Sequence, residues 1–235
     1  MIEVAATPGV VTLTLNRPSV GNALGPELVE GLLAQVQRVL TDSQNHTLML
    51  RAAGNQFCTG LDLSDLATVS DGDMLLRLVR IETLLATLWH APLRTVALAQ
   101  GRAWGAGADL FAVCEHRIAA TGTTFRFPGA QFGIVLGTRR LAERVGVDVA
   151  RQLIIGGGEL DATQALAAGL VSAIGDSADL GAPKVDAQTS AAIRAATRPD
   201  QRDADLAALV RSACVPGLQA RITRYREHML ARRPG

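Results

Sequence analysis

The sequence predicts an α/β fold whose central sheet is mostly parallel. Short apolar runs of strand length alternate with longer segments in which apolar residues recur at helical spacing. Glycine turns stand between many of these segments, and such alternation is typical of parallel strands joined by helices. After residue 176 only helical patterns follow. We therefore expect a core over residues 1–175 and a C-terminal helical region over residues 176–235.

The chain opens with a predicted hairpin followed by a helix. Residues 2–6 and 10–15 are apolar runs that flank Pro8-Gly9, which is a turn signal, and apolar residues alternate along the second run. The segment 26–40 begins with proline, which suits a first helical position. A leucine or valine at every fourth residue of this segment gives the helix one apolar face.

Two further strand-and-helix units follow. Residues 47–51 predict a strand, and residues 73–89 predict a helix that Pro92 prevents from continuing. Residues 94–99 predict the next strand, which leads through a glycine turn into a helix-compatible segment at residues 106–114.

The last part of the core and the C-terminal region complete the prediction. Residues 117–121 read as a strand, and Asp161 with Gln164 forms the start of a short helix that Gly169 ends. Residues 175–184 are the expected hinge. Beyond it, short breaks separate three predicted helices, at residues 186–197, 203–213 and 217–230.

The composition excludes several classes of protein. Hydrophobic residues make up 48% of the 235 residues and charged residues 19%, which is a globular balance. A net charge of +1 gives no indication of a nucleic-acid partner. Cys58, Cys114 and Cys214 are too widely spaced for a disulfide framework or a metal site, so we expect a reducing, cytoplasmic location and no metal. The sequence has neither a signal-peptide pattern at its start nor an apolar run of membrane-spanning length.

Two glycine turns carry the strongest functional signal. In the first, at residues 93–110, a strand ends and a glycine turn opens a helix whose first N–H groups lack helical partners. In the second, at residues 55–63, another glycine turn follows a strand. We expect Leu61 and Ala106 to supply one N–H each to a single oxyanion. Asp109 lies three residues after Ala106, on the same helix face.

The turns also carry a family resemblance. FCTGLDL at residues 57–63 resembles the F-(S/C)-A-G-x-D-(L/I) segment of the crotonase (enoyl-CoA hydratase/isomerase) superfamily. GRAWGAGADL at residues 101–110 resembles the family's N-G-x-A-x-G-G-G-x-E-L segment. Segments 15–24, 125–137 and 160–171 match in the same order. Five motifs in register make the resemblance specific, although each alone is weak.

The resemblance implies both an architecture and a substrate. The core would be a crotonase-like spiral of β-β-α units, and residues 176–235 would mediate assembly into a homotrimer or a dimer of trimers. The substrate would be an acyl-CoA thioester, with coenzyme A as part of the substrate and no separate cofactor. The two N–H groups would stabilise the charge that develops on the thioester oxygen as an enolate forms.

The sequence departs from the hydratase pattern at the acid and base positions. Hydratases of the family carry two glutamates; the first corresponds to Asp109, and the second would follow Pro128, where this chain has Gly129. The loop at residues 133–141 is shorter than the family's and carries no acid. We therefore expect isomerisation or another enolate reaction rather than efficient hydration. The alternative is a catalytically reduced acyl-CoA binding protein.

Several assignments leave a structural alternative open. Asp109 is expected to act as the acid or base, or else only to stabilise the helix dipole. Trp104 either walls the acyl pocket or packs in the core. Arg139 and Arg140 either reach the site or an interface, with a solvent-facing pair as the default interpretation. The resemblance implies these substrate-binding residues: Ala23, Leu24, Cys58, Gly60, Asp62, Leu63, Trp104, Gly105, Gly107, Pro128 and Gly129.

Overall fold

The protein was analysed as a computed structural model that describes residues 1–178 and 180–231. Within those residues a six-stranded sheet, a smaller three-stranded sheet and surrounding helices form the fold. The strands are β1 (Ile2–Thr7), β2 (Val10–Leu15), β3 (Thr47–Ala52), β4 (Arg94–Ala99), β5 (Arg102–Trp104), β6 (His116–Ala119), β7 (Thr124–Arg126), β8 (Glu159–Asp161) and β9 (Ala173–Ile174).

The helices lie around these sheets and at the C-terminus. They are α1 (Pro26–Thr41), α2 (Asp71–Trp89), α3 (Ala106–Ala112), α4 (Thr138–Val145), α5 (Val147–Gly156), α6 (Ala162–Ala167), α7 (Ala187–Thr197), α8 (Arg202–Ala213) and α9 (Leu218–Ala231). Two 3₁₀ turns, Pro18–Val20 and Pro128–Phe132, join them in the connections.

The main sheet confirms the predicted α/β class. Its order is β1-β2-β3-β4-β6-β9; the β1–β2 hairpin is antiparallel and the other four pairings are parallel. Leu13 and Leu15 of β2 alternate into the core with no exposed surface. Leu28, Leu32 and Val36 of the predicted apolar face of α1 are buried in the core, and Leu40 is partly buried against it. Period-two and period-3.6 patterns therefore identified the long elements correctly.

Local capping sets two helix starts. Helix α2 begins two residues before the predicted start because the Ser70 hydroxyl accepts a hydrogen bond from the Asp73 backbone N–H at 3.1 Å, and the Asp73 carboxylate accepts one from the Ser70 N–H at 2.9 Å. The capping box predicted at Asp161 and Gln164 is confirmed by reciprocal bonds of 2.8 and 3.0 Å.

The second sheet was not predicted. It has the order β5-β7-β8 and each of its strands has three residues, which is too short to show alternation. The predicted strand at 117–121 ends early, at Ala119, because the Thr123 hydroxyl donates to the Ala120 carbonyl at 2.7 Å and closes a turn.

The C-terminal helices fold back over the core. Asp71, in the first turn of α2, accepts hydrogen bonds from the N–H groups of Gly217, Leu218 and Gln219, so it caps the start of α9. A second apolar cluster joins these helices to α2 and to the connection before α4: Leu66, Met74, Leu78, Ile134, Leu209, Ala213, Leu218 and Ile222. The predicted boundary at residue 175 lies between β9 and α7, and a role of this region in trimer formation stays a prediction.

Within residues 1–178 and 180–231, no helix has both the length and the apolarity required to cross a bilayer. The same residues contain no group of three or more His, Cys, Asp or Glu side chains suited to hold a metal ion.

Candidate active site

The two glycine turns identified in the sequence lie side by side. The turn at residues 55–63 runs along β5, because the Cys58 N–H donates to the Arg102 carbonyl at 3.0 Å and the Trp104 N–H donates to the Cys58 carbonyl at 3.0 Å. Strand β5 leads directly into α3, whose first residue is Ala106. The pairing therefore brings Leu61 close to the start of α3.

Glycine is required where the two backbones approach. Gly60 has φ +95°, and a Cβ atom there would lie 2.8 Å from the Trp104 carbonyl oxygen and 3.4 Å from the Ala106 nitrogen. A Cβ atom on Gly107 would lie 2.2 Å from the Cys58 carbonyl oxygen. Any side chain at these two positions would push the turns apart. The glycines therefore set the spacing between the Leu61 and Ala106 amides.

Both amides are free of backbone partners in the described part of the chain. The Leu24 N–H donates to the Gly60 carbonyl and the Asp62 N–H to the Leu24 carbonyl, so the neighbours of Leu61 use the edge that faces Leu24. The Leu61 N–H lies on the opposite edge, since backbone groups alternate along an extended segment. The Ala106 N–H is free because it belongs to the first residue of α3.

A cavity of about 140 Å³ lies next to these amides. Leu61, Ala106 and Asp109 line it at one side. The rest of the wall is largely apolar, and α9 contributes Ile222 and Tyr225 to it. Further apolar lining residues include Leu63, Leu78, Phe132, Ile134 and Leu136. The arrangement suits an apolar chain attached to a carbonyl group.

Among the described residues, Asp109 is the one that brings a carboxyl group to the lining of this cavity, and its side chain is closely packed. The residue is 6% exposed, and none of the described residues donates a hydrogen bond to its carboxyl. A Cβ atom on Gly137, at the start of α4, would lie 2.2 Å from Asp109 Oδ1. Burial raises the pKa of Asp109 well above its usual range; the Arg140 guanidinium opposes this rise and Glu82 adds to it.

The expectation of a solvent-facing arginine pair is wrong for Arg140. The residue is 1% exposed and its guanidinium bonds both Glu82 oxygens, at 2.5 and 3.0 Å. Arg139, one residue earlier, pairs with Asp205 and Glu143. Successive residues of a helix point in directions about 100° apart, so Arg140 is buried while Arg139 stays partly exposed, and both lie within reach of Asp205 on α8.

Most of the predicted site residues line the cavity. Besides Leu61, Ala106 and Asp109, these are Gly60, Leu63, Trp104, Gly105, Pro128 and Gly129. Trp104 is therefore placed at the cavity wall, with its indole N–H donating to Thr124 at 3.0 Å.

The other predicted binding residues lie behind the cavity. Ala23 and Leu24 are buried, Leu24 pairs with the turn at residues 55–63, and Gly107 packs on Cys58. Asp62 pairs with Arg17 at 2.9 Å and accepts from the Ser64 N–H. Burial raises the pKa of the Cys58 thiol to about 12, which argues against a nucleophilic thiolate. These five residues, Ala23, Leu24, Cys58, Asp62 and Gly107, are absent from the lining.

The sequence reasoning missed lining residues on distant elements. Thr138 begins α4, and Ile222 and Tyr225 lie on α9; all three line the cavity. Tyr225 is the single tyrosine of the chain, and its ring lies 5.1 Å from that of Phe132. The presence of a single tyrosine in the sequence was the one available indication of a special role for Tyr225. No local pattern connected α9 with the glycine turns.

Comparisons with known proteins identify relatives of this chain in sequence and in fold. A family model described as enoyl-CoA hydratase/isomerase matches residues 5–222. A protein of Mycobacterium leprae named as an enoyl-CoA hydratase, echA6, is 34% identical over 186 residues, which are 76% of this chain and 73% of that relative. Enoyl-CoA hydratase domain-containing protein 2 of Bos taurus, a mitochondrial protein, is 33% identical over 168 residues; these are 70% of this chain but 57% of that relative.

Solved structures show the same likeness. A crystal structure from Bordetella parapertussis, assigned as enoyl-CoA hydratase/isomerase, matches with a TM-score of 0.90 and 39% identity, over 99% of both chains. One from Pseudoalteromonas atlantica, an enoyl-CoA hydratase/isomerase, matches with a TM-score of 0.79 and 25% identity over 100% of this chain and 98% of the other. The predicted crotonase-like spiral with C-terminal helices is confirmed by these matches.

Proposed function

The chain belongs to the enoyl-CoA hydratase/isomerase family, and from this premise we propose that it stabilises a thioester enolate between the Leu61 and Ala106 amides while Asp109 moves the proton. One observation carries the proposal: two amides without backbone partners and a buried carboxyl line the same cavity. The apolar remainder of the wall would hold the acyl chain.

The proposed chemistry starts at the thioester oxygen. Two N–H donors aimed at this oxygen would stabilise the charge that arises when the α- or γ-C–H bond breaks and its electron pair delocalises onto the carbonyl. Loss of one such donor costs about 3 kcal/mol in other enzymes. Asp109 would accept the proton and return it to the other carbon, which shifts the double bond. A pKa raised by burial suits this role, since proton transfer works best when the catalytic pKa lies near the working pH.

Hydration is less well supported than isomerisation. The family's second glutamate would stand at residue 129, and Gly129 lines the cavity without a carboxylate. Holding and activating water from two sides needs two groups, and the described lining offers one carboxyl. The same gap supports the second candidate, an acyl-CoA binding protein with reduced catalysis. Assembly as a homotrimer or dimer of trimers, and a cytoplasmic location, are further proposals.

The test is isotope exchange with a panel of enoyl-CoA thioesters in deuterated water. We expect deuterium to enter at the α- or γ-carbon, and Asp109→Asn to slow this exchange by about 100-fold or more. Asp148→Asn is the matched control, since Asp148 is fully exposed on α5. Exchange that is equally fast in Asp109→Asn would refute the assigned role. Tight binding with no exchange across the panel would favour the binding protein.

A further inference from the structure

A buried ion cluster lies near Asp109, and none of its three members lines the cavity. It joins Glu82 of α2, Arg140 of α4 and Asp205 of α8. Glu82 is 3% exposed, and Arg140 donates to it through both terminal nitrogens. Asp205 lies 3.0 Å from Arg140 Nη2 and also receives two hydrogen bonds from Arg139.

The cluster and the Asp109 carboxyl are neighbours. Helix α4 begins with the Gly137 backbone against the Asp109 carboxyl, and Arg140 lies within the first turn of α4. Of the elements packed on α3, helix α2 faces Asp109 with Glu82, and α4 faces it with Arg140. Arg144 of α4 bonds carbonyls at the far end of α3, and Arg102 of β5 lies over the Trp104 ring. Two opposite charges therefore act on Asp109.

The hydrogen bonds of Arg140 are directed away from Asp109. Its two terminal nitrogens serve Glu82 and Asp205, and its buried Nε has no partner in the described chain. The guanidinium makes no hydrogen bond to Asp109, although it is the nearby cation. Glu82 and Asp205 together neutralise the charge of Arg140, so the Asp109 carboxyl is not its counter-ion.

We propose that Glu82 is a positioning residue for Asp109: it holds the Arg140 charge in the Glu82–Arg140 pair, which leaves the Asp109 carboxyl free to keep and transfer a proton. This assignment rests on the proposed function for its consequence in the reaction. In structural terms it concerns only whether the positive charge of Arg140 is paired with Glu82 or with Asp109. Without the Glu82 charge, Arg140 would stabilise the ionised form of Asp109.

The experiment titrates Asp109 directly in the full-length protein. Carboxyl ¹³C resonances of labelled aspartate are followed against pH, and Asp109→Asn assigns the signal. In Glu82→Gln, which keeps the size of the side chain, we expect the acid dissociation constant of Asp109 to rise by about ten-fold or more. In Asp205→Asn we expect a smaller rise. In the double variant Glu82→Gln/Arg140→Met both charges are absent, and we expect a value close to that of the native protein.

An Asp109 titration that is unchanged in Glu82→Gln would overturn the inference, and if that variant does not fold, an unchanged titration in Asp205→Asn would do so. The isotope-exchange pH profile provides the functional readout: the limb that follows Asp109 should move to lower pH in Glu82→Gln. Because the titration needs no turnover, its result stands apart from the exchange assay, so failure of the proposed reaction and failure of this inference are distinguishable.

Discussion

Gly137 is the position where one methyl group tests the placement of Asp109. Its φ is +65°, a left-handed conformation, and the added Cβ atom of Gly137→Ala would lie 2.2 Å from Asp109 Oδ1 and 2.6 Å from its Cγ. The carboxyl must therefore move toward the cavity if alanine is to fit. The substitution combines a backbone cost with a displaced carboxyl group.

The magnitude follows from these two terms. An L-residue in the left-handed region costs about 1–2 kcal/mol, and a side chain forced off its rotamer costs about 0.5–1.5 kcal/mol. We expect the free energy of unfolding to fall by about 1.5–3.5 kcal/mol, which is the sum of the two. Exchange should fall by about 100-fold, because an error of about 1 Å in a reacting group costs that much.

The assay compares denaturant unfolding and isotope exchange across three variants. Gly122→Ala is the matched control, because Gly122 has φ +86° and no atom within 4 Å of the added Cβ. It should lose about 1–2 kcal/mol of stability and keep its exchange rate. In Asp109→Ala/Gly137→Ala the contacts with Oδ1 and Cγ are gone and the Cβ atom of residue 109 remains 3.2 Å away, so the second substitution should cost only slightly more than it does at Gly122.

The reasoning would be refuted if Gly137→Ala exchanged deuterium at the native rate. It would also be refuted if Gly122→Ala lost as much activity, since the loss would then come from backbone strain in general and not from the contact with Asp109.

Two further predictions concern the carboxyl groups of the site. Because burial raises the pKa of Asp109, its contribution to stability is complete below the pKa of the unfolded chain and is lost as pH rises through the native pKa. Asp109→Asn should therefore gain stability over the native protein from about pH 4 toward neutrality, by about 1.4 kcal/mol for each unit by which the pKa of Asp109 is raised. Denaturant unfolding of both proteins over this pH range checks the prediction. A stability difference that stays constant with pH would contradict it. Gly129→Glu should raise hydration of enoyl-CoA thioesters by about ten-fold or more, with Gly129→Gln as control. The new Cβ would lie 3.3 Å from the Ile134 carbonyl oxygen, so the short loop must yield slightly, and an unchanged rate would show that it holds residue 129 away from the water.

The long elements and the two glycine turns could be predicted from local pattern. The α1 face, the β1–β2 hairpin and the capping box at Asp161 each depend on residues that lie close together in the sequence. Glycines mark both turns in the sequence, and the close approach of the two backbones at Gly60 and Gly107 is seen only in the structure. The role of the Leu61 and Ala106 amides as oxyanion donors stays a prediction.

Other features depend on contacts between distant parts of the chain. Arg140 and Glu82 are 58 residues apart, and nothing in either neighbourhood distinguishes a buried ion pair from two exposed charges. The three-residue strands of the second sheet carry too little pattern to be recognised, yet they align the two turns.

The sequence by itself determined which backbone segments form glycine turns after strands, because glycine content and apolar periodicity act locally. Only the tertiary structure decided that α9 lines the cavity and that one buried arginine of α4 pairs with carboxylates of α2 and α8. The burial of Asp109, and with it the rise of its pKa, depends on which helices pack around it. Local sequence pattern does not specify that packing, because the helices come from distant parts of the chain.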